Sequence, residues 1–383
     1  MTYLFWFVGA LASQLFAHNS FAAEKVNAKA NEEVLIQMSN HDLVNSLTVQ
    51  IKKRLGLSTT QIDELIKNGD VYLHKLNGLS EEKLTDSLNA LIVESKIEGA
   101  EVINRHDPLF WLYRARFGLD NPPAPAMIPF WLTRRGHGWH VYLAATGDSS
   151  ITTLMRGDQI EFSSGKPLSF DTIGAKTRSV KVKSLSWDKP ETKSLPLQQK
   201  SVSQIFLDLV HSHRKDVVTG KTKTGVLPLP AIDLELLRVD AEQALKQFQN
   251  TTDQLIVDLR GPYGSGGMTG IELFLDDKGN RAHYKKPLYV LIDRYTSGGR
   301  ELLAGLLQRH AGAILIGEET AGRTAPVELT ELDPGKFILI TEHQIKSAQS
   351  GPLKPDRPIA EALMFAAGQD KILEGAIEII SKK

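Results

Sequence analysis

The sequence predicts a multidomain α+β and α/β protein: an N-terminal helical region, a small β module, and a C-terminal α/β core. Three observations carry that expectation. Apolar residues recur at helical spacing through LVNSLTVQIKKRLGL, STTQIDELIKNGDVYLHKL and SEEKLTDSLNALIVESKI. From Phe130 that period gives way to short alternating segments broken by turns. Beyond Ser201, strand-like and helix-like segments take turns, the rhythm of a largely parallel sheet covered by helices.

Length and composition set the bounds. The chain has 383 residues, 42% hydrophobic and 23% charged, enough for two or three domains with a large core. Its 45 basic and 45 acidic residues cancel, so no nucleic-acid partner is expected. Cysteine is absent, which excludes thiol catalysis and disulfide staples. The uncharged run YLFWFVGALASQLF (Tyr3–Phe16), followed by the small residues of HNSFAAEKV, has the form of a signal peptide over residues 1–22, cut after Ala22 or Ala23. No Lys or Arg precedes the run, so an uncleaved anchor or a misplaced start codon is the competing reading. The run is shorter than the roughly 20 residues a span needs. The expectation is export to a bacterial periplasm, with no stable membrane insertion once the signal is removed.

The elements follow in order. Residues 24–117 read as the helical region, and its last two helical segments open on Ser or Thr near an acidic first turn. The region turns aromatic at INRHDPLFWLYRARF and closes at NPPAPAMIP, whose prolines cannot continue a helix. Residues 127–197 read as the β module, built from GWHVYLAAT, LMRGDQIEFSSGKPLSF and TRSVKVKSLSW. LSWDKPETKSLPLQQKS, rich in Lys, Pro, Ser and Gln, reads as the linker leaving it. The α/β core, residues 201–383, runs through VLPLPAI, the helix DLELLRVDAEQALKQFQ, the strand QLIVDLR, a glycine-rich turn, the strand PLYVLID, the helix GRELLAGLLQRH and the strand AILIG.

Two resemblances attach to these segments. Leu154-Met155-Arg156-Gly157-Asp158-Gln159-Ile160, with a second turn at Ser164-Gly165-Lys166, resembles the "L-x-x-G-D-x-I … N-G" signature of a PDZ domain. Gly157 permits a tight turn, Asp158 can bond local backbone, and Ile160 begins a buried strand. Any small β module with a Gly-Asp turn would read the same way. The resemblance implies a unit that binds extended peptides by adding a strand to a sheet edge. In the α/β core three loops follow strands, where such sheets bind ligands. They are DLRGPYGSGG (Asp258–Gly267), Tyr295-Thr296-Ser297-Gly298-Gly299-Arg300-Glu301, and GEETAGRTAP (Gly317–Pro326). Taken in order, with Pro355-Asp356 further on, they resemble the carboxyl-terminal processing (tail-specific) protease family, with features of the tricorn-type proteases. That resemblance implies a ClpP/crotonase-like protease core, a polypeptide substrate and no cofactor.

The chemistry gives each residue a role. A serine nucleophile needs a base to take its proton, and backbone N–H groups to hold the oxyanion. Ser297 is the candidate nucleophile, with a plain helix N-cap as the competing reading. The N–H of Gly298 and one from the Gly264 turn are candidate oxyanion donors, aided by the positive end of the following helix. The family's base is a lysine at the position of Arg323, and arginine cannot be deprotonated in a protein. Arg323 is therefore assigned to holding the loop or a substrate, and Arg260 to anchoring its glycine loop. Ser297 also stands one place further from Glu301 than the family's serine, which would put Gly298 at the nucleophile position. The tricorn-type base is a histidine before the PDZ domain, and His106 has that place in the chain. A surface histidine beside Asp107 and Pro108 is the alternative. The acidic residue that orients the base is unassigned: Gln349 is an amide, and Glu342 and Asp356 are possibilities. His211 and His213, two apart and so on one strand face, lack a third ligand, and no metal is expected. The leading expectation is an exported serine endopeptidase fed by the PDZ-like module. A catalytically inactive peptide-binding or scaffold protein on the same fold is the alternative, and a small-ligand carrier is a weaker third. Oligomeric state and cleavage specificity stay open.

Overall fold

The computed structural model describes residues 39–55, 57–79, 81–97, 100–104, 110–111, 130–135, 138–144, 154–162, 179–185, 190–197, 200–231, 234–261, 270–276, 281, 283–322, 327–333, 336–341, 351–363 and 366–382. The Tyr3–Phe16 run, His106, Gly264, Arg323, Glu342 and Gln349 lie outside the described residues.

Helices form at the three helical repeats: α1 (Asn40–Leu55), α2 (Thr59–Lys75) and α3 (Glu81–Glu94). Ser58 starts α2 with a reciprocal cap, its hydroxyl accepting from the Gln61 N–H while the Gln61 side chain accepts from the Ser58 N–H. Their apolar stripes meet in one core through Leu43, Leu47, Leu65, Leu88 and Leu91. That core is not purely helical. Within the stretch read as helical, Ala100–Asn104 is a strand, β1, where β-branched Val102 and Ile103 are less restricted than in a helix. It pairs antiparallel with β13 (Lys336–Thr341), which pairs with β12 (Val327–Asp333). Ile338 and Ile340 close the core under the helices.

A second sheet has five antiparallel strands in chain order: β2 (Phe130–Arg135), β3 (Gly138–Ala144), β4 (Gln159–Phe162), β5 (Ser179–Leu185) and β6 (Pro190–Pro196). β6 corrects the linker expectation. It is an edge strand, and prolines at both of its ends are tolerated there because an edge leaves N–H groups unused. Leu195 is buried while Thr192 and Ser194 are exposed, so polar composition here marks a half-solvated edge. At the Arg156-Gly157-Asp158 turn the Met155 N–H donates to the Asp158 carboxylate at 3.0 Å, and Ile160 is buried. Gly157 has φ +94°, and a Cβ there would lie 2.3 Å from the Leu363 carbonyl oxygen. The turn needs glycine because a C-terminal segment packs directly against it.

The third sheet has six strands in the order β14-β11-β10-β9-β8-β7. These are β7 (Lys215–Thr219), β8 (Thr222–Pro228), β9 (Gln254–Asp258), β10 (Leu288–Ile292), β11 (Ile314–Gly317) and β14 (Arg357–Pro358). β7 joins antiparallel, and the other pairings are parallel. Among the described residues four helices accompany it: α4 (Val202–His213), α5 (Glu235–Thr251), α6 (Gly299–Ala311) and α7 (Lys371–Ser381). Leu255, Val257, Val290 and Ile292 face Leu245, Phe248, Leu303 and Leu307 of α5 and α6. Their neighbours Ile256, Tyr289 and Leu291 face Ile372, Ala376 and Ile380 of α7. Cover on both faces explains why LYVLI is an unbroken apolar run. Each such aliphatic side chain contributes roughly 1.5–3 kcal/mol by leaving water.

α4 corrects the reading of its histidines. Ser201 caps it by accepting from the Gln204 N–H at 3.2 Å, and His211 and His213 occupy its last turn. Residues two apart on a helix do not share a face. His211 Nε2 instead lies 2.8 Å from Asp240. Among the described residues no helix is long and apolar enough to cross a membrane.

Candidate active site

Parallel register brings three loops to one end of the six-stranded sheet. Leu291 of β10 lies beside Asp258 of β9, and Ile292 beside Gly317 of β11, so the loops start level with one another. The middle loop is organised by Asp293, the first residue after β10, which is 3% exposed. Its Oδ1 accepts from the N–H groups of Tyr295 at 3.0 Å, Thr296 at 2.9 Å and Gly261 at 3.2 Å, and lies 3.0 Å from the Thr296 hydroxyl. Its own N–H donates to Thr296 Oγ1 at 3.0 Å. A carboxylate bonding backbone two and three residues on sets the turn that delivers Ser297. Asp293 Oδ2 accepts from the hydroxyl of Tyr142, on β3, at 2.9 Å. Burial, reinforced by the Asp293 charge, holds the Tyr142 phenol well above its ordinary value, so the hydroxyl remains a donor.

Ser297 is half-buried, and its hydroxyl makes no hydrogen bond to another described residue. The N-cap of α6 is Gly298, with φ 63° and ψ −141° and no side-chain cap bond. Ser297 is therefore not the helix cap that competed with the nucleophile reading. The first turn of α6 then ties down the flanking loops. Arg300, fully buried, donates to the carbonyls of Arg260 at 2.9 Å and Gly261 at 2.7 Å. Glu301, also fully buried, accepts from the Gly322 N–H at 2.9 Å and from the Thr320 hydroxyl. The Ala321 N–H reaches the Thr296 carbonyl at 3.1 Å.

Arg260 is 2% exposed and spends its guanidinium inside the protein. It donates to Asp258 at 2.9 and 2.7 Å and to both oxygens of Asp370, the N-cap of α7, at 2.6 and 2.7 Å. Burial would raise the Asp370 carboxyl, but the Arg260 charge outweighs it and holds the group well below the usual carboxylate range. Arg260 thus anchors the first loop to α7. Asp356 is placed elsewhere: it accepts from the Leu315 N–H at 2.8 Å and from Gln308, beside the start of β11. Leu315 is level with Val290, short of the strand end from which the Ser297 turn departs.

Sequence reasoning missed Asp293 and Tyr142. An aspartate directly after an apolar strand, with threonine three residues on, is a legible turn signal. Tyr142 carries no local signal, because its partner lies 151 residues away.

A serine-bearing strand-to-helix turn over a helix-covered parallel sheet defines the class, and comparison with known proteins narrows it. Residues 266–355, which contain the second and third loops, match Peptidase family S41. The chain is similar in sequence to carboxyl-terminal-processing proteases. It is 26% identical over 230 residues to the Carboxyl-terminal-processing protease of Picosynechococcus sp. (strain ATCC 27264 / PCC 7002 / PR-6), covering 52% of this chain and 55% of that one. It is 28% identical over 142 residues to Carboxyl-terminal-processing peptidase 3, chloroplastic, of Arabidopsis thaliana, covering 31% of this chain and 27% of that one. The chain thus spans about half the length of the first relative and about a quarter of the second. The solved structure of the photosystem II D1 C-terminal processing protease shares the mixed α/β fold, with a TM-score of 0.53 at 16% identity, covering 90% of this chain and 98% of that one.

Proposed function

We propose that this protein is a serine peptidase acting on polypeptide chains, with Ser297 as its nucleophile. The observation that carries the reading is the Ser297 turn: a hydroxyl free of any capping role, at the carboxyl end of a central parallel strand, fixed by the buried Asp293. Similarity to the carboxyl-terminal-processing proteases supports a polypeptide substrate. In this proposal His106 takes the Ser297 proton as Oγ attacks the scissile carbonyl, and the Gly298 and Gly264 N–H groups hold the oxyanion. Arg323 contacts the loop or a substrate carboxylate through its fork of donors. The β2–β6 sheet presents an extended segment in the manner of a PDZ domain, and the Tyr3–Phe16 run directs export to the periplasm. The test is labelling by a fluorophosphonate probe together with cleavage of an unstructured protein. Wild type is expected to label and cut, Ser297→Ala and His106→Ala to lose most of the rate, and Arg323→Lys to retain it. A Ser297→Ala protein with full activity would sink the assignment.

Two observations favour a second reading. Gly298 stands three residues before Glu301, where the family carries its serine, and Arg323 stands where the family carries its lysine. A catalytically inactive peptide-binding protein on the same fold accounts for both substitutions. In that case wild type neither labels nor cuts, and it still binds extended peptides.

A further inference from the structure

The turn before Ser297 is held partly from outside its own sheet. Asp293 Oδ1 is filled by the three backbone N–H groups and the Thr296 hydroxyl, whereas Oδ2 has the Tyr142 hydroxyl as its one partner among the described residues. Tyr142 belongs to the five-stranded sheet, whereas Asp293 directly follows β10 of the six-stranded one. Tyr142 is itself fixed: Arg156 donates to its carbonyl at 2.6 Å and lies 4.3 Å above its ring. Arg156 in turn is ion-paired with buried Glu361, which accepts from the Lys371 N–H at 3.2 Å where α7 begins. A buried carboxylate oxygen left without a donor is costly. Removing the hydroxyl lets Asp293 turn or draw in water, and Oδ1 is what sets the peptide groups of Tyr295 and Thr296. We propose that Tyr142 is a positioning residue: through Asp293 it couples the seating of the five-stranded sheet to the placing of Ser297. The effect on chemistry rests on the serine-peptidase reading, and the effect on the turn does not.

Tyr142→Phe removes the hydroxyl alone. Tyr284→Phe is the control, because it removes another buried hydroxyl, 3.3 Å from Thr252 and next to the start of the strands. Both are made in the full chain and compared with wild type at a temperature where all three are folded. Tyr142→Phe should be phosphonylated by a fluorophosphonate about tenfold more slowly, with kcat for a peptide falling and KM nearly unchanged, as expected for a misplaced nucleophile. The amides of Gly261, Tyr295 and Thr296 should exchange with solvent about tenfold faster, as weakened local bonding predicts. Tyr284→Phe should match wild type on every measure. The proposal is overturned if Tyr142→Phe labels and exchanges like wild type, or if Tyr284→Phe is slowed equally. If wild type does not label, the peptidase reading fails and amide exchange alone decides the positioning role. Should Tyr142→Phe not fold, Asp293→Asn keeps Oδ1 as acceptor but cannot accept from Tyr142 at the second position, and the same amides report.

Discussion

Arg260 shows what a single buried side chain does for this fold. Its guanidinium neutralises two carboxylates, Asp258 and Asp370, and so joins the loop after β9 to the start of α7. Arg260→Leu strands both carboxylates, and a loss of about 3 kcal/mol is expected, the lower end for breaking a buried pair since the acids keep some solvent contact. Urea unfolding of the variant checks it. The same contacts fix the sign of the acid response. The folded Asp370 carboxyl lies below its unfolded value of 3.8, so its stabilisation is fully present above that pH and is lost as the pH falls beneath it. Glu318, lowered by Arg294 against its own burial, behaves alike below 4.5. The melting temperature should level off above about pH 5 and drop on acidification, with a shallower drop in Arg260→Leu. At this scale the motif D-L-R-G points to a loop anchor, and Arg260 pairs with Asp258 and Asp370. The role of Asp293 needed coordinates, because its donors come from three separate stretches of chain.

Elements are legible from sequence in proportion to how much of their burial is periodic. The βαβ rhythm beyond Ser201 stands out because β9, β10 and β11 are covered on both faces while α5 and α6 repeat at helical spacing. β1 has five residues, too few to show a period against its helical surroundings. β6 reads as a linker because its edge position admits proline and charge. α4 escaped notice although Ser201 and Gln204 have the spacing of a helix start. Ser201→Ala should cost about 1 kcal/mol, measurable by thermal unfolding. Gly157→Ala should do more damage, since both its left-handed backbone and the Leu363 carbonyl oppose a side chain. Its expected signature is faster limited proteolysis within the β2–β6 sheet, with the six-stranded sheet retained.

Across the whole molecule, sequence order and spatial order diverge. The helices of residues 40–94 share their core with Leu332, Ile338 and Ile340, so they are not a free-standing helical unit. A chain beginning at Ala100 should expose that apolar face and self-associate, which size-exclusion chromatography and dye binding would show. Solubility as a monomer would contradict the shared core.

β1 completes its sheet only with β13, the strand at residues 336–341. On a ribosome the helices and β1 emerge first and must wait, one strand edge unpaired, until nearly all of the remaining polypeptide has been made. A product terminated anywhere before residue 336 therefore carries an open edge and an uncovered apolar face. Those are the features that chaperones and quality-control proteases engage, so a product ending before β13 is expected to be retained or degraded, where one that includes it can close its core.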